Sequence, residues 1–216
     1  MSRWGMVIDL RRCVSCYACV LACKQEHFLP PKLFRCELLV GEKGEYPHAK
    51  KFTYPIQCNQ CGEATCVEVC PTGATVKRQD GIVTVDPDKC TGCQHCLLSC
   101  PYHQRTCYYG EQKEYFPGQG QTALENIGEK LHPYQDGTVV KCEFCVERID
   151  EGLERGLKPG IDREATPACV TTCMCKARVF GDLDDPESEV SKLISEKPAY
   201  CLHPELATLP SIYYVD

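Results

Sequence analysis

Sixteen of the chain's twenty cysteines fall into four short groups, and their spacing constrains the fold more than any other feature. Two groups follow the run Cys-x2-Cys-x2-Cys-x3-Cys, one has a longer second gap, and the last is split by 23 residues. The groups are Cys13, Cys16, Cys19 and Cys23; Cys58, Cys61, Cys66 and Cys70; Cys90, Cys93, Cys96 and Cys100; and Cys142, Cys145, Cys169 and Cys173. Because a cubane cluster takes four thiolates, these cysteines predict four [4Fe–4S] clusters whose irons they ligate.

The spacing within a group has a physical reason. A loop with two residues between cysteines can turn around a cube and cover three of its corners. The fourth cysteine, three residues further on, is expected at the start of a helix, facing away from that cube and free to ligate a neighbouring one. Backbone N–H groups of the same loops point at the sulfurs and tune the potential. The pattern therefore predicts clusters held close together, as a relay for single electrons needs.

Disulfides and zinc are the other common uses of so many cysteines. A disulfide scaffold is disfavoured because 216 residues can form their own core, and because Cys13, Cys16 and Cys19 lie on one loop instead of reaching across the fold. Zinc takes pairs of cysteines and has no need for a third one three residues on. The split fourth group, taken alone, is still compatible with a zinc site.

The groups predict an α+β fold in which one unit resembling a bacterial ferredoxin with two [4Fe–4S] clusters is nested within another. The inner unit (51–107) holds the second and third groups, with a hairpin expected over 75–85 between them. The outer unit (1–50 and 141–181) holds the first and fourth groups. Strands are expected in it at 6–10 and 177–181.

The rest of the chain carries no motif cysteines. Residues 108–140 are polar and turn-rich, and they predict either an excursion that covers clusters or contacts a partner, or a plain variable loop. A short charged helix is expected over 146–156. The C-terminal part (182–216) is expected to form a helix, capped by Asp185 and ending near Glu196, and then a tail that docks on a surface.

The charge of the chain argues against nucleic acid and bare anionic membrane as partners. The formal net charge is −6, and four oxidised clusters would bring the loaded protein to about −14. No segment has the length of a membrane-spanning helix, and no signal peptide is recognised, since Arg11 and Arg12 precede cysteines instead of an apolar core. An anchor or export signal is therefore expected from a partner, which leaves a periplasmic and a cytoplasmic location open.

The sequence resembles the four-cluster electron-transfer subunits of molybdopterin oxidoreductases of the dimethyl sulfoxide reductase type, such as polysulfide, thiosulfate, tetrathionate and respiratory arsenate reductases. The resemblance covers most of the chain and rests on residues 6–9, 13–23, 58–61, 66–74, 90–93, 96–102, 141–145, 168–169 and 181–186. It implies a non-catalytic subunit that relays electrons. Its partners would be a large molybdopterin catalytic subunit, which carries the molybdenum or tungsten, and a quinone-reactive membrane subunit, a cytochrome or another redox carrier.

The resemblance also implies a ligand set for each cluster, in which the groups exchange their fourth cysteines. Ligand set one is Cys13, Cys16, Cys19 and Cys173, and set two is Cys23, Cys142, Cys145 and Cys169. Set three is Cys58, Cys61, Cys66 and Cys100, and set four is Cys70, Cys90, Cys93 and Cys96. In the family, the cluster of the first group lies nearest the catalytic subunit, and the others lead away towards a membrane partner.

One departure from the family pattern lies at the end of the fourth group. The family usually has proline after the last cysteine, but Cys173 is followed by Met174 and Cys175. The spacing of three residues from Cys169 favours Cys173 as the ligand. The cysteines outside the sets are expected to be structural, as small apolar residues. They are Cys36, Cys107, Cys175 and Cys201.

Three alternative functions stay open on the sequence alone. They are an electron-transfer subunit of a formate dehydrogenase or hydrogenase complex, a free polyferredoxin, and a zinc-binding module. No nucleophile–base pair or phosphate-binding loop is recognised, so no catalytic residue is predicted. The ligands leave the direction of electron flow open, because the potentials of iron–sulfur clusters span roughly −700 to +450 mV.

Overall fold

The computed structural model describes residues 2–110 and 114–216. Met1, in the predicted outer unit, and residues 111–113, in the predicted excursion, lie outside the described residues. The strands are β1 (Trp4–Asp9), β2 (Cys36–Lys43), β3 (Lys50–Gln57), β4 (Thr75–Lys77), β5 (Val83–Val85), β6 (Thr106–Cys107), β7 (Val139–Val140), β8 (Arg178–Asp182) and β9 (Ile212–Val215). The α-helices are α1 (Ala18–Glu26), α2 (Thr65–Glu68), α3 (His95–Leu98), α4 (Ala123–Leu131), α5 (Val146–Glu154), α6 (Ala168–Thr171) and α7 (Glu189–Glu196). None of these helices is both long and apolar enough to cross a membrane.

The central sheet has three strands in the order β8-β1-β9, with β1 antiparallel to β8 and parallel to β9. Side chains of β1 alternate between two buried sides. Met6 and Ile8 pack in the main core, and Val7 packs with Val190 of α7. The strands predicted at 6–10 and 177–181 are confirmed, and they are the two that pair in antiparallel fashion.

The C-terminal tail joins the central sheet. Its last residues form β9, and the preceding residues contact the loop of the second cysteine group: Gly62 donates its N–H to the Leu209 carbonyl at 2.7 Å, and Ser211 donates to the Asn59 carbonyl at 2.9 Å. The prediction of a tail that docks on a surface is thus confirmed in outline. The tail ties the loop between β3 and α2 to the central sheet.

Two hairpins flank the second cysteine group. The one predicted over 75–85 is confirmed as β4 and β5, with Thr75 opposite Val85. The other, β2 with β3, was not predicted from the sequence, and it pairs Cys36 with Gln57 at its buried end. This hairpin carries the chain away from α1 and returns it to the second cysteine loop.

The predicted excursion contains a helix, α4. Helix α4 begins with a capping box, in which the Thr122 hydroxyl accepts the Glu125 N–H and the Glu125 carboxylate accepts the Thr122 N–H. Gly128 lies against Phe28, where an added Cβ would approach the Phe28 Cβ to 2.6 Å. The charged helix predicted over 146–156 is confirmed as α5.

The start of the C-terminal helix differs from the prediction. Ser188, not Asp185, is its N-cap, and the Ser188 hydroxyl accepts the Ser191 N–H at 3.2 Å. The Asp185 carboxylate instead accepts the N–H of Glu187 at 2.9 Å, so it caps a turn that precedes the helix. The predicted end near Glu196 is confirmed.

Candidate cluster-binding sites

All four cysteine loops share one backbone feature. The residue before the second cysteine of each group has a left-handed conformation, with φ between 47° and 66°. These residues are Ser15, Gln60, Gly92 and Phe144. A left-handed residue at this position turns the chain sharply, so that consecutive thiols and backbone N–H groups can face one centre. For Phe144 this conformation costs strain, which its close packing against Phe180, 5.2 Å between ring centroids, helps to hold.

In each group the third cysteine is the second residue of a helix, in α1, α2, α3 and α6. The expectation that the fourth cysteine starts a helix is wrong. Cys70, Cys100 and Cys173 lie after the last residue of their helices, and Cys23 lies within α1. Pro71 and the proline after Cys100 disfavour helical backbone at the preceding cysteine, whereas no proline follows Cys23.

Ligand set one lines a single cavity between the loop after β1 and the turn after α6. Cys16 is exposed, and the other three members of the set are half-buried. Ala177 donates its backbone N–H to the Cys173 Sγ at 3.3 Å. Cys175 lines the same cavity, so the structure brings the four predicted residues together with a fifth thiol beside them.

Asp9 anchors the first cysteine loop. Its carboxylate accepts the N–H groups of Arg11 at 3.1 Å and Arg12 at 3.3 Å, and it accepts the Lys197 ammonium at 2.6 Å. Burial alone would raise the pKa of Asp9, but Lys197 and the two N–H groups outweigh burial and lower it below 3.8. The side chain is therefore a charged anchor for the loop at neutral pH.

We expect Asp9→Asn to destabilise the loaded protein by about 1–3 kcal/mol, because the variant loses the ion pair with Lys197 in a nearly buried position. Since the folded-state pKa is depressed, this contribution is present above about pH 3.8 and is lost as pH falls through the folded-state pKa. Urea unfolding at pH 7 measures the effect. Asp184→Asn, which breaks an exposed pair with Arg3, is the control, and equal midpoints for the two variants would contradict the prediction.

The members of ligand set two lie together in the interior. Burial raises the pKa of Cys145, and the other three thiols of the set raise it further. Burial likewise raises the pKa of Cys142 to about 12. Such thiols are protonated in the metal-free chain, so metal ligation has to displace their protons.

His27 borders ligand set two. Its Nε2 lies 3.3 Å from the Cys145 Sγ, and burial lowers the pKa of the ring to about 3, so the imidazole is neutral. In the tautomer with its proton on Nε2, His27 donates a hydrogen bond to that sulfur. Tyr134 donates its hydroxyl to the His27 carbonyl at 2.6 Å. These contacts make His27 a hydrogen-bonding neighbour of the set.

Ligand sets three and four also converge. Burial raises the pKa of Cys61 to about 12, and the other members of set three, Cys58, Cys66 and Cys100, add to the rise. Set four lines one cavity, where Cys93 is exposed. Burial favours the neutral thiol of Cys70 and would raise its pKa. Hydrogen bonds from Thr72 and from Thr75, whose N–H lies 3.4 Å from the sulfur, outweigh burial and lower the pKa of Cys70 to about 7.

The cysteines of set one, and likewise those of set four, line a cavity instead of meeting at one point. Over the described ranges, no three histidine, cysteine or carboxylate side chains are close enough together to hold a single metal ion. A cubane spreads its iron corners apart and accepts one thiolate at each, so separated sulfurs around a cavity fit this group. Backbone N–H groups directed at Cys70 and Cys173 fit it as well, since hydrogen bonds to the sulfurs tune such clusters.

Several polar side chains near the sulfurs were missed by the sequence reasoning. The guanidinium groups of Arg105 and Arg178 contact cysteine sulfurs, and Lys141 is almost fully buried. Gln60 links two loops, because it donates to the Cys142 carbonyl at 2.7 Å and accepts the Val83 N–H at 2.8 Å. One signal was available: each arginine stands five residues after the last cysteine of its group.

Comparisons with known proteins agree with this geometry. A family model described as a 4Fe-4S dicluster domain matches residues 49–115. The chain is 39% identical to a protein named as the iron–sulfur subunit of a dimethyl sulfoxide reductase of Halobacterium salinarum, over 100% of this chain and 80% of the relative. It is 39% identical to a selenate reductase subunit of Mesobacillus selenatarsenatis, over 99% of this chain and 72% of the relative.

A third relative matches over nearly its whole length. The chain is 35% identical to the iron–sulfur subunit ArrB of the arsenate respiratory reductase of a Shewanella species, over 99% of this chain and 96% of the relative. Identities of this size along both chains show common descent, and the cysteine content fits several [4Fe–4S] clusters. The chain therefore belongs to the iron–sulfur electron-transfer subunits of the molybdopterin oxidoreductases of the dimethyl sulfoxide reductase type.

Proposed function

We propose that the chain relays single electrons through four [4Fe–4S] clusters, one held by each of ligand sets one to four. A [4Fe–4S] cluster supplies a one-electron redox centre when it is bound. The observation that carries the proposal is that cysteines of different groups converge as crossed pairing requires. Cys173 lines the cavity of the first group, and Cys100 lies with the second group.

The neighbouring sets follow one another in a linear order. Arg178 lines the cavity of set one and its Nη1 lies 3.8 Å from the Cys169 Sγ of set two, which supports these two sets as neighbours. Gln60, between Cys58 and Cys61, donates to the Cys142 carbonyl at 2.7 Å, which supports sets two and three as neighbours. Arg105 is close to sulfurs of both sets three and four. The sets therefore form a path in the order one, two, three, four.

At each end of this path one cysteine thiol is exposed at the protein surface. Of the twenty cysteines, all within the described residues, Cys16 and Cys93 are the exposed ones, and they belong to sets one and four. Exposed apolar side chains flank both ends, with Met174 82% exposed near set one and Leu98 85% exposed near set four. Electrons enter at one end and leave at the other.

The partners follow from the family. Set one faces a large molybdopterin catalytic subunit, and set four faces a quinone-linked membrane subunit or another redox carrier. The chain itself performs no bond chemistry. Its architecture is an outer ferredoxin-like unit (1–50 and 141–181) around an inner one (51–107), with an excursion (108–140) and a C-terminal helix and tail (182–216).

The proposal predicts the metal content of the chain. Purified without oxygen together with its large partner, the chain should be brown and contain about sixteen irons and as much acid-labile sulfide. Low-temperature EPR of the reduced complex should show several interacting paramagnetic centres. A colourless chain that contains zinc and no iron would overturn the proposal, and purification without any large partner would favour a free polyferredoxin.

A further inference from the structure

Three cationic side chains are buried among the ligand sets. Arg105, Lys141 and Arg178 are 6%, 2% and 3% exposed. In the part of the chain that the structure describes, no carboxylate forms an ion pair with any of them. A buried cation without a counter-charge is strongly destabilising, so a negative charge has to be supplied from elsewhere. The thiolates of the loaded chain can supply it, since cysteine sulfurs of the ligand sets contact both arginines and Cys142 directly follows Lys141.

Arg178 lies where sets one and two meet. Its Nη1 is 3.8 Å from the Sγ of Cys169, a member of set two. The side chain also lines the cavity of set one. The other guanidinium contacts are to uncharged groups: Nη2 to the Cys36 Sγ at 3.2 Å, and Nη1 to the Gln57 Oε1 at 3.2 Å and the Met6 Sδ at 3.5 Å.

Arg105 holds the corresponding place between sets three and four. Its Nη2 is 2.9 Å from the Sγ of Cys66 in set three, and Cys96 of set four is close enough for its charge to act on the guanidinium. Its Nη1 donates to the Thr75 hydroxyl at 3.3 Å. The two arginines thus occupy equivalent positions in the outer and inner units, as their shared spacing from Cys100 and Cys173 indicates.

Lys141 lies where sets two and three meet. Its ammonium donates to the carbonyls of Cys142, at 2.9 Å, and of Val83. Gln60, in the loop of the second group, contacts the same two residues: it donates to the Cys142 carbonyl at 2.7 Å and accepts the Val83 N–H at 2.8 Å, so the ammonium lies between the loops of the second and fourth groups. One cation therefore stands at each of the three junctions along the path.

The effect of such a cation on a redox centre has a definite sign. Taking up an electron makes the centre more negative, so a nearby positive charge stabilises the reduced form more than the oxidised form. In the interior this attraction is far less screened than in water. Arginine keeps its charge at every accessible pH, so its contribution is permanent.

We propose that Arg178, Lys141 and Arg105 raise the reduction potentials of the clusters on both sides of their junctions. The proposal rests on the ligand sets of the proposed function. The three cations act through their charge: they change the reduction potentials along the path and ligate no metal.

The test is a redox titration, followed by EPR, of the anaerobically purified complex with its large partner. Arg178→Gln should lower the equilibrium constant for one-electron reduction of two clusters at least tenfold, which corresponds to a fall of 59 mV in their reduction potentials. Arg105→Gln should lower the reduction potentials of the other two clusters. Lys141→Gln should lower the potential of one cluster from each of these two pairs. Arg155→Gln, at an exposed arginine paired with Glu164, is the matched control and should shift none.

Charge-conserving variants separate electrostatics from packing. Arg178→Lys, Arg105→Lys and Lys141→Arg should keep most of the wild-type potential. Unchanged potentials in the glutamine variants would overturn the proposal, and so would equal shifts in the glutamine and charge-conserving variants. If one glutamine variant loses iron, the reduction potentials of the other two variants decide the test. Loss of iron in all three would reject tuning of the potentials and favour a role of the cations in cluster assembly. Iron in the wild-type complex is counted first, since its absence would refute the ligand sets instead.

Discussion

Replacing Cys145 by serine is expected to remove one cluster and to stop electron transfer through the complex. The variant chain should lose about four of its irons. The rate of electron transfer to the catalytic partner should fall by more than roughly 10–100-fold, which is the usual effect of losing a residue that only hydrogen-bonds to a metal ligand. Iron analysis, EPR of the reduced complex and the rate of reoxidation of a reduced dye by the partner's substrate measure these effects.

The size of this effect follows from the place of Cys145. The side chain is 6% exposed, within a set whose four members are drawn from α1, the loop before α5, and α6. In the proposed path set two is second of four, so the loss of its cluster is expected to leave a gap that no parallel route bridges. A serine there would also leave a buried hydroxyl beside the neutral His27.

A matched control is present in the chain. Cys107 is 9% exposed in β6 and belongs to none of the ligand sets, so Cys107→Ser should keep about sixteen irons and the wild-type transfer rate. The assignment of set two fails if the Cys145→Ser chain keeps the full iron content. It also fails if Cys107→Ser loses as much iron as Cys145→Ser does.

The local part of the site could be predicted from the sequence because cluster loops have a fixed spacing. The distance between cysteines within a group sets where the chain turns, and the left-handed residues Ser15, Gln60, Gly92 and Phe144 fall at the same place in all four loops. The strand before the first loop and the hairpin over 75–85 are also local patterns, and both are confirmed. Ligation by the individual cysteines stays a prediction, which the convergence of the sets supports.

The buried cations could not be predicted from general rules. Arginine and lysine are almost never fully buried unless they are paired, so Arg105, Lys141 and Arg178 are expected on the surface. Their positions follow from the charge of a bound group, which the sequence does not display. The shared spacing of the two arginines, five residues after Cys100 and Cys173, can be read in the sequence, but no general rule connects that spacing with burial.

The missed hairpin and the misplaced helix start have different causes. In β3, Pro55 disfavours a strand assignment, yet it is tolerated opposite Leu38 at a two-stranded hairpin. For α7, the sequence offers two possible N-cap residues three positions apart, Asp185 and Ser188, and a tertiary contact decides between them. The Ser188 hydroxyl donates to the Asp182 carbonyl of β8 at 2.6 Å, which fixes the helix start there.

The turn after Cys173 is the same turn that follows Cys70 and Cys100. In each case the third residue after the cysteine donates its N–H to the cysteine carbonyl and has a left-handed conformation: these residues are Gly73, His103 and Lys176. A backbone N–H then reaches the sulfur, from Thr75 to Cys70 at 3.4 Å and from Ala177 to Cys173 at 3.3 Å. Met174 and Cys175 therefore replace proline and its neighbour while the turn keeps its hydrogen bond to the cysteine carbonyl and its left-handed third residue, and Cys173 is the equivalent of the other two cysteines.

Cys173→Ser is accordingly expected to lose the set-one cluster, about four irons, and with it electron delivery at that end of the path. Cys175→Ser should keep about sixteen irons and the wild-type EPR spectrum, because Cys175 lines the cavity but occupies the position of Thr72 in the equivalent turn. Iron analysis of the two variants in the intact complex makes the comparison. The reverse result, with iron lost from the Cys175 variant alone, would show that the change from proline to Met174 moves the ligand by two residues.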